Sequence, residues 1–148
     1  MATQASRVFV ASPWSDPVIL AMPRLLRSAP YFPVADVRAS ATHLERVLGF
    51  AIEYFAGEPP QFAICTRDGL AIMLRRVGSP EFIRPVEKQG GTWDAFFWVD
   101  DAKGLHAELV DRGALIVYGP LVQPYHVLEF AVRDPDGHVL GFGEAIIK

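Results

Sequence analysis

The chain contains an internal repeat, and this repeat constrains the fold more than any other feature of the sequence. The stretch YFPVADVRASATHLERVLGF at residues 31–50 parallels FFWVDDAKGLHAELVDRGA at residues 96–114. Further along, DGLAIML at residues 68–74 parallels DGHVLGF at residues 136–142. Because both matches recur at nearly the same separation, the sequence predicts two copies of one supersecondary unit.

Each copy predicts one strand, one helix and three further strands. An apolar strand, PYFPV or AFFWV, comes first. An aspartate then caps the helix by accepting free N–H groups of its first turn: Asp36 in the first copy, and Asp100 or Asp101 in the second. The helices are expected to stop at Gly49 and Gly113, since glycine suits the left-handed C-cap position. The predicted strands that follow are AIEYF, QFAICT and LAIMLRR in the first copy, and LIVYG, EFAVR and HVLGFGE in the second.

The expected fold class is therefore α+β, with two βαβββ modules in one domain. We assign the domain to residues 29–148, with modules at 29–76 and 93–147 and a Gly- and Pro-rich linker at 77–92. Residues 1–28 carry three prolines between short apolar bursts and are expected to form an N-terminal arm.

Composition excludes several classes of partner. The chain has 148 residues, 51% of them hydrophobic and 21% charged, which is typical of one globular domain. A net charge of −3 offers no electrostatic footprint for nucleic acid. No apolar run approaches the ~20 residues of a membrane span, and the N-terminal stretch lacks a clear signal-peptide cleavage pattern. The single Cys65 cannot form an internal disulfide, so we expect a cytoplasmic location.

Two stretches resemble a known family. The V-x-D–helix–LGF element at 34–50 and the run EFAVRDPDGHVLGFGE at 129–144 resemble the vicinal oxygen chelate superfamily of glyoxalase I, bleomycin resistance proteins and extradiol dioxygenases. The stretch QPYHVLEFAVRDPDG is most similar to the bleomycin resistance group. The resemblance covers roughly residues 29–147 and implies an incomplete barrel around a cavity. His126 is one departure, because relatives often have glycine in that turn.

The resemblance also implies where a metal would bind. The four ligand positions of the metal-dependent relatives fall here on Ala29, Met73, Asp94 and Gly141. Alanine and glycine have no ligand atom, and the methionine sulfur is too soft for Zn, Ni, Mn or Fe. A catalytic ion needs about three protein ligands, and Asp94 alone cannot supply them. We therefore expect no metal and no cofactor.

A ligand pocket is the remaining expectation. If Asp94 faces the cavity, the period of two along a strand places Phe96 and Trp98 beside it. The predicted ligand-binding residues are Tyr31, Met73, Asp94, Phe96, Trp98, Tyr125 and His126. The alternatives are core packing for the aromatic residues and a hydrogen-bonded or solvated strand position for Asp94. Glu129 is either a buried partner of a loop N–H group or a pocket carboxylate, and His138 is expected to be solvated in its turn.

These features lead to one preferred function and two alternatives. We expect a non-catalytic small-molecule binding protein of the bleomycin-resistance-like type, which holds an aromatic or cationic ligand in a metal-free cavity. The first alternative is a lyase, isomerase or dioxygenase that uses a metal or Asp94 as general base. The second is a structural or regulatory homodimer.

The resemblance further implies assembly into a homodimer. Pro30 stands where the N-terminal strand of the bleomycin resistance proteins crosses between subunits. Each pocket would then be lined by both chains, with Tyr31 and Trp98 of one pocket coming from different subunits.

Overall fold

The repeated strand–helix–strand order is present in the folded chain. The structure is a computed structural model that describes residues 22–147. The first module consists of β1 (Tyr31–Val34), α1 (Val37–Arg46), β2 (Ala51–Ala56), β3 (Phe62–Arg67) and β4 (Leu70–Arg76). The second consists of β5 (Ala95–Trp98), α2 (Ala102–Asp111), β6 (Leu115–Gln123), β7 (Val127–Arg133) and β8 (Val139–Ala145). Between them lie two short 3-10 turns, Pro80–Phe82 and Val86–Gln89.

The predicted N-terminal arm, residues 1–28, lies for the most part outside the described residues. Within the described range, residues 22–28 form neither helix nor strand. No helix in the described part of the chain has both the length and the apolar character needed to cross a membrane.

Each module forms its own four-stranded mixed sheet. The strand order is β1-β4-β3-β2 in sheet one and β5-β8-β7-β6 in sheet two. In both sheets the first strand runs parallel to the last, and the other neighbours are antiparallel. Tyr31 lies opposite Met73 in sheet one, as Phe96 lies opposite Gly141 in sheet two. The predicted α+β fold of two βαβββ modules is confirmed, and neither sheet closes into a barrel.

The capping residues explain where both helices begin and end. The Asp36 side chain accepts a hydrogen bond of 3.0 Å from the amide three residues further on. Of the two candidates in the second copy, Asp101 and not Asp100 is the cap, accepting the equivalent bond at 2.9 Å. Gly49 and Gly113 follow the helices with φ of 74° and 94°, a conformation that glycine adopts without strain.

Strand β6 is longer than its sequence indicates. The Gly119-Pro120 pair predicts a strand end, yet pairing with β7 continues to Gln123. Two register shifts interrupt the ladder on either side of Tyr118, so the strand passes the pair as a bulge instead of stopping. Gly119 has φ 86°, and a Cβ atom there would lie 2.4 Å from the carbonyl oxygen of Glu129. Only glycine therefore permits this close approach of the two strands.

One hydrophobic cluster joins the two modules. Alternation along the strands turns one face of each sheet toward its helix, and both helix-bearing faces contribute to this cluster. Its buried members include Phe32, Leu44, Ile72 and Leu74 from module one and Leu109, Phe130, Leu140 and Phe142 from module two. We call the opposite surface of each sheet its helix-free face. Because both helix-bearing faces turn inward, the two helix-free faces point away from one another.

The hairpin of each module reaches across to the helix of the other. At the β3–β4 hairpin, Arg67 makes two hydrogen bonds of 2.9 Å to Glu108 on α2. In the turn before β8, Asp136 accepts hydrogen bonds from the Ser40 hydroxyl at 3.1 Å and the Ala35 amide at 3.2 Å. These reciprocal contacts fix the orientation of the two sheets.

Truncating the matched helix leucines tests the repeat and the shared core together. Leu44 and Leu109 are 2% and 1% exposed, in α1 and α2 respectively. We expect Leu44→Ala and Leu109→Ala each to lower the free energy of unfolding by about 2–5 kcal/mol through lost burial and a cavity. Denaturant titration followed by circular dichroism measures this. A loss below about 0.5 kcal/mol at both positions, as expected of surface sites, would contradict their equivalence.

Candidate functional site

The helix-free face of sheet one carries an exposed aromatic and apolar row. Tyr31, Met73, Ile64 and Tyr54 lie opposite one another across four strands. Tyr31 and Tyr54 are 54% and 53% exposed, so nothing within the described residues covers them. Arg75 follows on the same face and donates a hydrogen bond of 3.1 Å to the Tyr31 hydroxyl. This surface is more apolar than a solvated sheet face normally is.

The corresponding row of sheet two is filled by its own side chains. Phe96, Gly141, Ala131 and Tyr118 occupy the equivalent places. A Cβ atom on Gly141 would lie 2.7 Å from both Phe96 and Trp93. Rings therefore occupy the space into which a side chain at position 141 would project.

Three aromatic rings form a continuous layer on this second face. Trp93 and Phe96 have ring centroids 4.6 Å apart, and Phe96 and Trp98 meet edge to face at 5.1 Å. Trp98 is 64% exposed and ends the series. Its neighbour Phe97 points the other way and stacks on Phe142 in the shared core, which confirms the alternation of faces. We call this layer of three rings the aromatic platform.

Glu129 lies fully buried beneath the same face and collects hydrogen bonds from neutral donors. Tyr125 donates to it at 2.7 Å, Gln123 donates at 3.3 Å, and Tyr118 donates through a short hydrogen bond. Tyr118 in turn accepts a bond of 2.8 Å from the indole N–H of Trp93. The carboxylate thus fixes the positions of three aromatic side chains at once.

The two tyrosines remain hydrogen-bond donors at neutral pH. Burial, together with the hydrogen bond to Glu129, raises the pKa of Tyr118 well above its usual value. Burial and the same carboxylate raise the pKa of Tyr125 to about 12. A proton on each phenol is required for the geometry described, because a carboxylate can only accept.

Asp94 uses both carboxylate oxygens within the fold. Oδ1 accepts the Val86 amide at 3.0 Å, and Oδ2 accepts the Val139 amide at 2.8 Å. The side chain thereby ties the segment between the modules to the start of β8. These contacts correspond to the hydrogen-bonded strand position that the sequence analysis gave as an alternative to a pocket role for Asp94.

The four family metal positions do not form a donor set. Ala29 and Gly141 lack ligand atoms, Met73 offers a thioether, and the oxygens of Asp94 are already engaged by amides. A divalent ion needs about three protein ligands. These residues therefore do not fit the metal that the family's enzymes use.

The side chains of a second group of possible metal ligands are engaged in hydrogen bonds within the fold. Asp134, Asp136 and His138 lie close enough to share an ion. However, Asp134 Oδ1 accepts the amides of Asp136 at 2.9 Å and His138 at 2.7 Å, and its Oδ2 contacts His138 Nδ1 at 2.8 Å. Asp136 is held by the first module, as described above. The group braces the turn before β8.

His138 is buried, and the expectation that it is solvated was wrong. The ring is 2% exposed and stacks on Phe32 of the other module at 4.4 Å. Burial alone would lower its pKa, but the hydrogen bond and charge of Asp134, with Asp94 and Asp136 nearby, raise the pKa overall. This turn residue of module two is buried because Phe32 on β1, the edge strand of sheet one, packs against it.

Tyr125 and His126 form the turn between β6 and β7, and both are exposed. His126 adopts φ 64°, which explains why glycine suits this position in relatives. Its amide bonds to the Gln123 carbonyl at 2.9 Å, and its carbonyl accepts the Ile146 amide at 3.1 Å. Tyr125 lies on the Glu129 cluster, so the turn borders the aromatic face.

The predicted ligand residues therefore divide into two groups. Phe96, Trp98, Tyr125 and His126 belong to sheet two and its turn, whereas Tyr31 and Met73 lie on the outward face of sheet one. The sequence left the role of Glu129 open between a buried partner and a pocket carboxylate, and it did not assign Tyr118 or Trp93 to the site. A charged residue inside an otherwise apolar strand was the available signal, but its partners could not be identified without the bulged pairing of β6.

A cavity of about 620 Å³ lies at the junction of the modules. It is bounded by the β3–β4 hairpin, the end of β5 and α2, with Phe50, Phe97 and Leu105 on its walls and Arg67 and Glu108 at its polar side. Trp98 lies at its edge. This cavity lies on the helix-bearing side, and Trp98 is the residue that it shares with the aromatic platform.

Comparison with known proteins gives one family match. Residues 25–142 match the model of the glyoxalase/bleomycin resistance protein/dioxygenase superfamily. No curated protein sequence matches the chain.

Several solved structures share the fold. TioX from Micromonospora sp. ML1 is 24% identical with a TM-score of 0.65, covering 80% of this chain and 98% of its own. The bleomycin-binding protein of bleomycin-producing Streptomyces verticillus, solved with copper(II)-bleomycin, is 22% identical with a TM-score of 0.62, covering 82% and 97%. TnmS3, an antibiotic binding protein from Streptomyces sp. CB03234, is 22% identical with a TM-score of 0.61, covering 84% and 98%. At these identities the likeness establishes the fold.

Substituting Gly141 tests whether rings fill the position that corresponds to a metal ligand in the family's enzymes. We expect Gly141→Ala to lower the free energy of unfolding by about 1–3 kcal/mol, because its Cβ must displace Phe96 or Trp93. Thermal and denaturant unfolding measure the change. Gly78→Ala is the control, since a Cβ atom there meets nothing within 4 Å. Equal stability of the two variants would show that position 141 has room for a side chain.

Proposed function

Because the chain belongs to the glyoxalase/bleomycin resistance protein/dioxygenase superfamily, we propose that it is a non-catalytic binding protein for a small aromatic or cationic ligand. The observation that carries this proposal is the aromatic layer of Trp93, Phe96 and Trp98 on an otherwise uncovered sheet face. Trp98 is the most exposed of the three. A large exposed indole backed by a rigid ring is a costly surface unless a ligand or partner covers it.

The donor chemistry supports binding over metal-dependent catalysis. Three of the four family metal positions offer no hard ligand atom, and the fourth is Asp94, whose oxygens accept two amides. The same hydrogen bonds count against Asp94 as a general base, because abstracting a proton requires a free oxygen directed at the substrate. The related structures include an antibiotic binding protein and a bleomycin-binding protein, which also supports the proposal.

We assign the ligand to the helix-free face of sheet two. Phe96 and Trp98 form the stacking surface, and Tyr125 and His126 form its border at the β6–β7 turn. Asp94 acts indirectly, by fixing the backbone at the start of β8. The remaining predicted residues, Tyr31 and Met73, would close the pocket from another surface.

That other surface is best supplied by a second copy of the chain. The two helix-free faces of one chain point apart, so Tyr31 cannot reach Trp98 of the same chain. A twofold dimer that places sheet one of each subunit over sheet two of the other would create two equivalent pockets. The row of exposed Tyr31 and Tyr54 with half-buried Met73 and Ile64 supports this arrangement, since residues 22–147 leave it partly open to solvent.

A ligand screen tests the proposed function. We expect some planar aromatic compounds to quench tryptophan fluorescence and to stabilise the protein, by about 2.7 kcal/mol at 100 times the Kd. Trp98→Ala should weaken binding by at least about tenfold, or about 1.4 kcal/mol. Fluorescence titration and thermal unfolding measure both effects.

Val110→Ala is the matched control, because it truncates an apolar side chain, 48% exposed, on α2. If both variants bind like the unaltered protein, the aromatic face is not the site. Elemental analysis of the same preparation provides the second criterion. About one Zn, Ni, Mn or Fe per chain, lost in Asp94→Asn, would favour the enzymatic alternative.

Sedimentation tests the proposed dimer. At tens of micromolar we expect a dimer, because pairing removes two apolar faces from water. A monomer at that concentration would contradict the assembly. Exchange of the N-terminal strand is tested separately by deleting residues 1–30. If exchange occurs, the deletion should weaken the dimer, whereas an equally stable dimer would exclude exchange and leave the face-to-face pairing intact.

A further inference from the structure

Glu129 is a buried acidic residue without a charged partner among the described residues. The residue is 0% exposed, yet none of the ion pairs within residues 22–147 includes it. Buried charges in proteins are normally paired, because removing a carboxylate from water is costly unless another charge compensates it. The three groups that do contact it are neutral.

The hydrogen-bond directions show that Glu129 acts only as an acceptor. An indole N–H can only donate, so Trp93 donates to the Tyr118 oxygen, and the single phenolic proton of Tyr118 is left for Glu129. Tyr125 donates to the other carboxylate oxygen. Hydrogen-bond partners therefore occupy both oxygens of the Glu129 side chain.

This chain of hydrogen bonds directs negative charge toward the aromatic face. Phenol and indole groups that donate to an anion are polarised by it, and hydrogen-bonded chains strengthen one another in a low-dielectric setting. The hydroxyl groups of Tyr125 and Tyr118 point at the carboxylate, and Trp93 is joined to it through Tyr118. Phe96 and Trp98 continue the aromatic layer from Trp93. Electron-rich rings beside a buried anion are the surroundings that bind a weakly hydrated organic cation.

We propose that Glu129 and its tyrosines form a cation-recognition subsite, which selects ligands that carry an organic ammonium or similar cationic group beside an aromatic ring. This inference rests on the proposed binding function and assigns its charge selectivity to Glu129 instead of Asp94. The aromatic part of the ligand stacks on Trp98, and the cationic group lies over the Tyr125 and Tyr118 rings. The carboxylate acts through space and through the phenols, without direct contact.

A pair of probes that differ only in charge tests the subsite. Benzyltrimethylammonium carries the cation, and neopentylbenzene replaces its nitrogen with carbon in the same shape. We expect the unaltered protein to bind the cation at least about tenfold more tightly, or about 1.4 kcal/mol. In Glu129→Gln, which keeps the side-chain shape, that preference for the cation over the neutral probe should disappear. Tryptophan fluorescence titration gives both affinities.

Glu45→Gln is the matched control. It removes the same charge from an exposed position on α1 of the other module and should leave both affinities unchanged. Equal binding of the two probes by the unaltered protein would overturn the subsite while leaving the proposed binding function in place. If neither probe binds, and no other aromatic compound binds, the proposed binding function itself would be wrong.

A second variant covers the case in which Glu129→Gln does not fold. Tyr125→Phe removes one donor but keeps the carboxylate. If Glu129 selects the cation, the preference for the charged probe should persist in this variant. If Glu129 only holds Tyr125 in place, both probes should weaken equally, and the proposal would be wrong.

Discussion

The packing of two helix-bearing sheet faces into one core is the constraint on which the rest of the structure depends. Once Leu44, Leu109 and the inward strand residues share a cluster, the opposite faces of both sheets are directed to solvent. The reciprocal contacts of Arg67 with Glu108 and of Asp136 with Ser40 then fix the angle between the sheets. Every feature of the candidate site follows from this outward presentation, including the exposure of Trp98 and the separation of Tyr31 from it.

The two modules use the same backbone plan for different surfaces. In sheet one no other part of the described chain fills the row from Tyr31 to Tyr54, whereas in sheet two Phe96 and Trp93 lie over glycine. The difference arises from the residue on the last strand, where Met73 has a side chain and Gly141 has none. A glycine at that place admits the rings of Phe96 on β5 and of Trp93 just before it, and those rings in turn form most of the platform.

The order of helices and strands could be predicted from the sequence, because the signals that mark each element lie close together along the chain. The repeat, the capping aspartates and the glycine stops all depend on contacts within a few residues. The choice between Asp100 and Asp101 needed the actual helix start, and the length of β6 needed the bulge at Gly119.

The site was harder to predict, because its interactions are long-range. Phe96, Trp98 and Tyr125 could be placed by alternation and resemblance. The links from Glu129 to Tyr118 and from Tyr118 to Trp93 depend on cross-strand register and could not be read from spacing. The burial of His138 likewise depends on the other module.

The rings above Gly141 also bear on how the family's chemistry could change. Introducing a metal ligand at this position would require a side chain where Phe96 and Trp93 already lie. A single substitution would therefore disrupt packing before it created a donor, and a functional ion would still lack partners at Ala29 and Met73. Several coordinated substitutions would therefore be needed before these four positions could together hold an ion.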